Sequence, residues 1–231
     1  RSLVADLFPL ARGKRDSYDN KDRAQDIGRR LMLDVGPLVG MIQIPGIRYG
    51  VKDVVALATL NTAIEGTIPS LENCDITNLE AQTSFFSQIL ECWLMATGRI
   101  EERGVTVLDS QSVVYQGRVL VTVIGLAPAI IAHLKSKNLN FISKSAIDET
   151  IEWFRGVMSR AGLLKGKKFI SKDEFKKLGF LGSGGIGRFR NLLWAATLEN
   201  KKLTARSSEK KVMTLADQAR QSVFSSLGTE E

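Results

Sequence analysis

A chain of 231 residues with 44% hydrophobic and 25% charged residues can bury an ordinary core and lies far from the composition of a disordered segment. Its formal charge of +7 points to a polyanionic partner. Two cysteines, Cys74 and Cys92, and one histidine, His133, exclude a disulfide framework and the usual four-ligand zinc site; free thiols imply a reducing compartment, cytosol or nucleus.

Residues 1–19 read as an N-terminal arm. Leu3, Val4, Leu7, Phe8 and Leu10 form an apolar patch that Asp6 and Pro9 break too early for a secretory signal, and a polar turn-rich stretch, Arg12 to Ser17, follows. A helix is expected from about Asp19 to Asp34, with Ile27, Leu31 and Val35 on one face. Gly36-Pro37 ends it, and residues 36–50, holding Gly40, Pro45 and Gly46, read as an extended connection. The spacing of Val51, Val54, Val55, Ala58 and Thr62 predicts a helix from Val51 to Glu65. Thr77-Asn78-Leu79-Glu80 fits a capping box. Behind it, Phe85, Ile89 and Trp93 run beside Phe86, Leu90 and Leu94, a face wide enough for the centre of a core.

Between Gly104 and Ile124 the period changes to two. Val119, Val121 and Val123 alternate with their neighbours, and Gln116-Gly117 sits where a two-residue turn belongs, so a β-hairpin is expected. Pro128 then suits the first turn of a helix carrying Ile130, Ile131 and Leu134. The apolar run from Val119 to Leu134 is too short and too interrupted for a membrane span and reads as core. Further helices are expected around Ile147–Met158, behind the capping box Ser171-Lys172-Asp173-Glu174, from Phe189 to Ala196, and from about Ser208 to Leu227. The fold class is mainly α: about eight helices and one short hairpin, with two lobes (20–140, holding the hairpin, and a basic 141–206) and arms at residues 1–19 and 207–231.

Charge distribution is the strongest functional signal. From Arg155 to Lys211 there are fifteen Lys and Arg against four acids, or +11, which leaves −4 for the rest of the +7 chain. Lys165, Lys167, Lys168, Lys172, Lys176, Lys177, Arg188, Arg190, Lys201, Lys202 and Arg206 come in short groups between apolar anchors, as expected of a folded groove that tracks a nucleic-acid backbone. Residues 182–187, Gly182-Ser183-Gly184-Gly185-Ile186-Gly187, match G-x-G-x-x-G. The stretch before them reads as a helix end rather than the buried strand a dinucleotide fold needs. The better reading is a phosphate loop in which Gly182, Gly184, Gly185 and Gly187 expose amides beside Arg188 and Arg190; a plain hinge is the alternative. Trp194 and Phe189 are the aromatic residues placed to stack on a base, with core packing as the default for both.

No catalytic set, metal-ligand set or cofactor motif stands out. His133 lies on an apolar helix, Cys92 sits beside Trp93, and the acid pairs Glu101-Glu102, Asp148-Glu149 and Glu230-Glu231 are merely adjacent. A compact helical body with a basic surface and two terminal arms is similar in outline to nucleocapsid proteins of segmented negative-strand RNA viruses, a likeness of size and architecture without a shared motif. It implies a non-enzymatic protein that coats single-stranded RNA and self-associates through its arms, in the cytoplasm or a virion. The competing expectations are a matrix-type protein that sets the same face on an anionic membrane surface, and a nucleotide-binding enzyme that uses the 182–187 loop.

Overall fold

The computed structural model describes residues 19–39, 42–43, 55–98, 113–166, 168–182, 184–201 and 203–228. The N-terminal arm therefore lies outside the described residues, apart from Asp19, as do Lys167 and Lys202. Among the described residues the fold is mainly α, with ten α-helices and two short strand pairs.

Helix α1 (Asn20–Leu33) starts where Asp19 accepts a hydrogen bond from the Asp22 amide, and it buries Ala24, Ile27, Leu31 and Met32. Strands β1 (Ile42–Gln43) and β2 (Val55–Ala56) pair in parallel, so α2 begins only at Leu57 and runs to Glu65. Val55 and Ala56, expected to be helical, are extended instead, because their backbone amides and carbonyls find partners on β1. Helix α3 (Ile68–Glu72) is a single turn carrying Pro69 at its start. Helix α4 (Leu79–Ala96) is capped by Asn78, whose side-chain oxygen accepts from the Ala81 amide at 2.7 Å. The cap thus lies one residue beyond the expected Thr77, in keeping with the slightly better capping of asparagine.

Among the described residues 113–124, the expected hairpin is not there. Val113–Tyr115 is a 3-10 turn, and α5 (Gly117–Ile124) is a helix. The same residues that alternate with period two also fall at i, i+1, i+4 and i+5, and Val119, Leu120, Val123 and Ile124 are all fully buried. Burial on a helical face outweighs the strand preference of β-branched residues, which is a context effect of about 1 kcal/mol. The antiparallel pair sits instead at β3 (Leu164–Lys165) and β4 (Lys168–Phe169), with Lys165 opposite Lys168 and Gly166 in the left-handed region at φ +61°.

After α5 come α6 (Ala127–Ser136), with Pro128 in its first turn, and α7 (Lys144–Arg160), capped by Ser143. Helix α8 (Lys172–Lys177) opens with the expected Ser171/Glu174 capping box. Helices α9 (Gly185–Ala196) and α10 (Glu209–Leu227) close the chain.

Helix α4 is central and packs against α7, α1 and α5. It is apolar nearly all round, so its buried polar groups need internal partners. Gln88 donates to the Phe141 carbonyl at 2.9 Å and Gln82 to that of Ile76 at 2.8 Å. The indole of Trp93 donates to the Val114 carbonyl, and its ring meets Phe154 and Phe169 edge-on at 5.5 and 5.6 Å. A second aromatic group, Phe175, Phe180 and Phe189, with centroids 5.0–5.6 Å apart, fastens α8 and the turn after it to α9. Helix α10 lays Val212, Leu215, Ala216 and Ala219 against the chain's own α9 and α6. The buried apolar side chains form one connected cluster. No single described helix is long and apolar enough to cross a membrane; α5 and α6, which meet at a bend of 40°, place half of their residues in that cluster.

Candidate nucleic-acid interface

Two basic grooves flank α9. The first has a volume of about 890 Å³ and is walled by α2, α5, α9 and α10, with Gly66, Thr67 and Pro128 at its margins. Arg118 enters it from α5, Arg190 from α9 and Arg220 from α10, and no carboxylate lines it. Apolar surface comes from Ala58, Val121 and Ile186, and the ring of Trp194 forms part of the wall. That size falls near the upper end of ordinary small-ligand sites, and the groove is open rather than enclosed.

The three arginines are held differently. Arg220 is fixed: it donates to Asn191 at 2.7 Å and to Asp217 at 2.8 Å, and its guanidinium lies 5.5 Å from the Trp194 ring centroid. These contacts set the register of α10 on α9. Arg118 is exposed and reaches the Gly182 carbonyl at 3.5 Å, the outer limit of a hydrogen bond. Arg190 is exposed, and neither it nor Arg118 forms an ion pair among the described residues. Helix α9 is itself anchored from below, where Arg160 of α7 donates to the Ala196 carbonyl at 2.7 Å. Burial lowers the Arg160 pKa, an effect the Glu199 carboxylate partly offsets.

The second groove, about 720 Å³, lies on the other side of α9 and is lined by Lys165, Lys177, Arg188 and Arg206 together with Glu174. Glu174 pairs with Lys165 and also closes the α8 capping box; the Lys165 bond comes first among the contacts that hold its carboxyl below the ordinary range. Arg188 lies 6.0 Å from the Phe180 ring centroid.

The basic residues expected from sequence thus separate. Arg190 faces the first groove, and Lys165, Lys177, Arg188 and Arg206 the second. Lys168, Lys172, Lys176 and Lys201 are exposed and line neither. Arg118 and Arg220 were missed because both lie outside the charge-rich window. Arg118 does carry a faint signal, as a lone cation at the head of a long apolar run; Arg220 carries another, since it adjoins Ala219 of the buried stripe.

The glycine-rich segment has helix α8 before it and helix α9 after it, with no strand on either side. Its glycines do different work. Gly182 has φ +118°, which an L side chain rarely adopts. A methyl group on Gly185 would lie 2.4 Å from the Gly179 carbonyl oxygen and 2.5 Å from the Phe180 carbonyl carbon. The close approach at the Gly185 α-carbon is made by the chain's own backbone, which by itself accounts for a glycine at this position of the expected phosphate loop. Gly184 and Gly187 have nothing within 4 Å of that position, and Gly187 lines the first groove.

Phe189 is 0% exposed inside the aromatic group, so it has no free face for a base and is corrected to a core residue. Trp194 is 4% exposed, with the Arg220 guanidinium over its ring and Phe224 at 6.1 Å. His133 packs beside Trp153 and shares a 2.7 Å hydrogen bond with Glu149. Burial pushes the Cys92 thiol up to about 12 and raises that of Cys74. Among the described residues no three His, Cys, Asp or Glu side chains gather as a metal site. No family model, curated protein or solved structure matches this chain.

Proposed function

We propose that this protein is a non-enzymatic binder of single-stranded RNA, which it coats without reading base sequence in the manner of a nucleocapsid protein. The observation that carries the reading is the convergence of Arg118 from α5 with Arg190 and Arg220 from the consecutive helices α9 and α10, in one open groove that no carboxylate lines. Arg220 is paired with Asp217, but Arg118 and Arg190 form no ion pair among the described residues; a phosphodiester backbone neutralises such uncompensated charge while releasing its own counterions. The groove also offers Ala58, Val121 and Ile186 as apolar surface for bases, a contact that discriminates little between them.

A coat protein must also contact its neighbours. The exposed Leu33, Val35 and Val39 at and just beyond the end of α1 are a surface suited to that role, and the apolar residues between Leu3 and Leu10, which lie outside the described residues, suit it by composition.

The test is a titration of labelled single-stranded RNA over a range of salt, with wild type and the Arg118→Ala/Arg190→Ala pair. Each phosphate contact contributes a slope of about −0.7 in log K against log salt. Losing two should lower the slope magnitude by about 1.4 and the affinity at 0.1 M salt by roughly 25-fold. Both side chains are exposed, so the thermal melt should be unchanged. A wild-type protein that ignores RNA, or a pair variant that binds with the wild-type slope, would overturn the proposal.

A further inference from the structure

The second groove lies outside the convergence that supports RNA binding, yet it carries a comparable density of charge. Lys165, Lys177, Arg188 and Arg206 surround a cavity of about 720 Å³ in which Glu174 is the one carboxylate. Glu174 is already engaged by Lys165 and by Ser171. Lys177, Arg188 and Arg206 have no ion-pair partner among the described residues. With the Lys165–Glu174 pair cancelling, the three remaining cations favour an anionic occupant.

The two grooves meet at the N-terminal end of α9. On the first side, Arg118 reaches the Gly182 carbonyl. On the second, Arg188 approaches the same turn, its Nη1 3.7 Å from where a Gly179 methyl would stand. Between them Gly182 and Gly184 are exposed and have open space around them. What separates the two grooves is therefore the N-terminal end of α9. An α-helix is about 10 Å across, a distance that a few nucleotides of single strand can bridge.

We infer that the second groove is a further phosphate-binding site for the same RNA strand, which leaves the first groove across the N-terminal end of α9 and is gripped again by Lys177, Arg188 and Arg206. This assignment rests on the proposed RNA binding by the first groove. It requires affinity to depend on strand length in a way that one groove cannot produce, because a short strand fills the first groove and only a longer one reaches the second.

The experiment uses the full chain and oligouridylates of about four and about sixteen nucleotides, the range of site sizes found among single-strand binders. Lys177 and Arg206 are both exposed, so the Lys177→Ala/Arg206→Ala pair should melt as wild type. The pair should bind the short strand like wild type and the long strand roughly 25-fold more weakly at 0.1 M salt, the loss expected for two phosphate contacts. If the pair binds both strands like wild type, or weakens both equally, the second groove is not a separate site on the path. Equal wild-type affinity for the two strands would likewise overturn the inference. Should wild type bind neither strand, the proposed function itself falls, a result distinct from those failures.

Discussion

Gly185→Ala separates a structural glycine from a ligand-facing one. Gly185 is the first residue of α9, and the added methyl would stand 2.4 Å from the Gly179 carbonyl oxygen, 2.5 Å from the Phe180 carbonyl carbon and 2.6 Å from its oxygen. All three atoms are backbone, so no side chain can rotate away. The turn cannot retreat freely either, because Gly179 sits at φ +76° and Phe180 is locked between Phe175 and Phe189 at 5.0 and 5.6 Å. Overpacking of this kind costs about 1–3 kcal/mol. Alanine's advantage over glycine in a helix offsets at most about 1 kcal/mol. A net loss near 2 kcal/mol should lower Tm by about 4–8 °C in a protein of this size. Circular-dichroism melts and urea titration measure it, with Gly184→Ala as the control that should change little, since nothing lies within 4 Å of that methyl. RNA affinity measured well below the melt should stay at the wild-type value. A Gly185→Ala protein that melts at or above wild type would refute the packing argument, and one that folds normally yet loses RNA would return the glycine to the binding site.

Gly187→Ala should do the opposite: its methyl meets nothing in the chain but enters the first groove, so stability should hold or rise by up to about 1 kcal/mol while RNA affinity falls, as paired melts and titrations would show. Ser171→Ala removes half of the α8 capping box and should cost about 1 kcal/mol in a urea titration. The Glu174 carboxyl is held below its ordinary pKa, first by Lys165 and then by the Ser171 amide. Its stabilising contribution is therefore present above the unfolded-state pKa and is lost as pH falls through the lower folded value. Glu174→Gln should accordingly flatten the acid limb of the stability profile and leave the neutral region's pH dependence unchanged. A thiol reagent at mildly alkaline pH should label half-buried Cys74 in the native protein but reach Cys92, buried and with its pKa near 12, only after denaturation; rapid native labelling of both would contradict the core position of Cys92.

Much of the fold is written locally in the chain. Period, caps and breakers act within a few residues, so α1, α4, α6, α7 and the Ser171 capping box lie close to where hydrophobic spacing and capping chemistry place them. Charge is also a local property, and the basic window at 155–211 marks α9 and its surroundings as a surface of excess positive potential. The misplaced hairpin shows where local reading stops. Val119 to Ile124 satisfies both a two-residue and a helical period, and only packing against α4 and α2 chooses the helix. The grooves are tertiary in the same sense. Arg118 and Arg190 are 72 positions apart in sequence, and nothing within either segment signals that α5 and α9 will lie side by side. Adjacent cations such as Lys176 and Lys177 look equivalent in the chain, yet only Lys177 lines a groove, because helix rotation turns each residue by about 100° from its neighbour. Gly184, Gly185 and Gly187 are likewise indistinguishable as letters in a motif. Their roles diverge only when the Gly179–Phe180 turn folds back onto α9 and leaves one of them without room for a methyl group and the other two with open space.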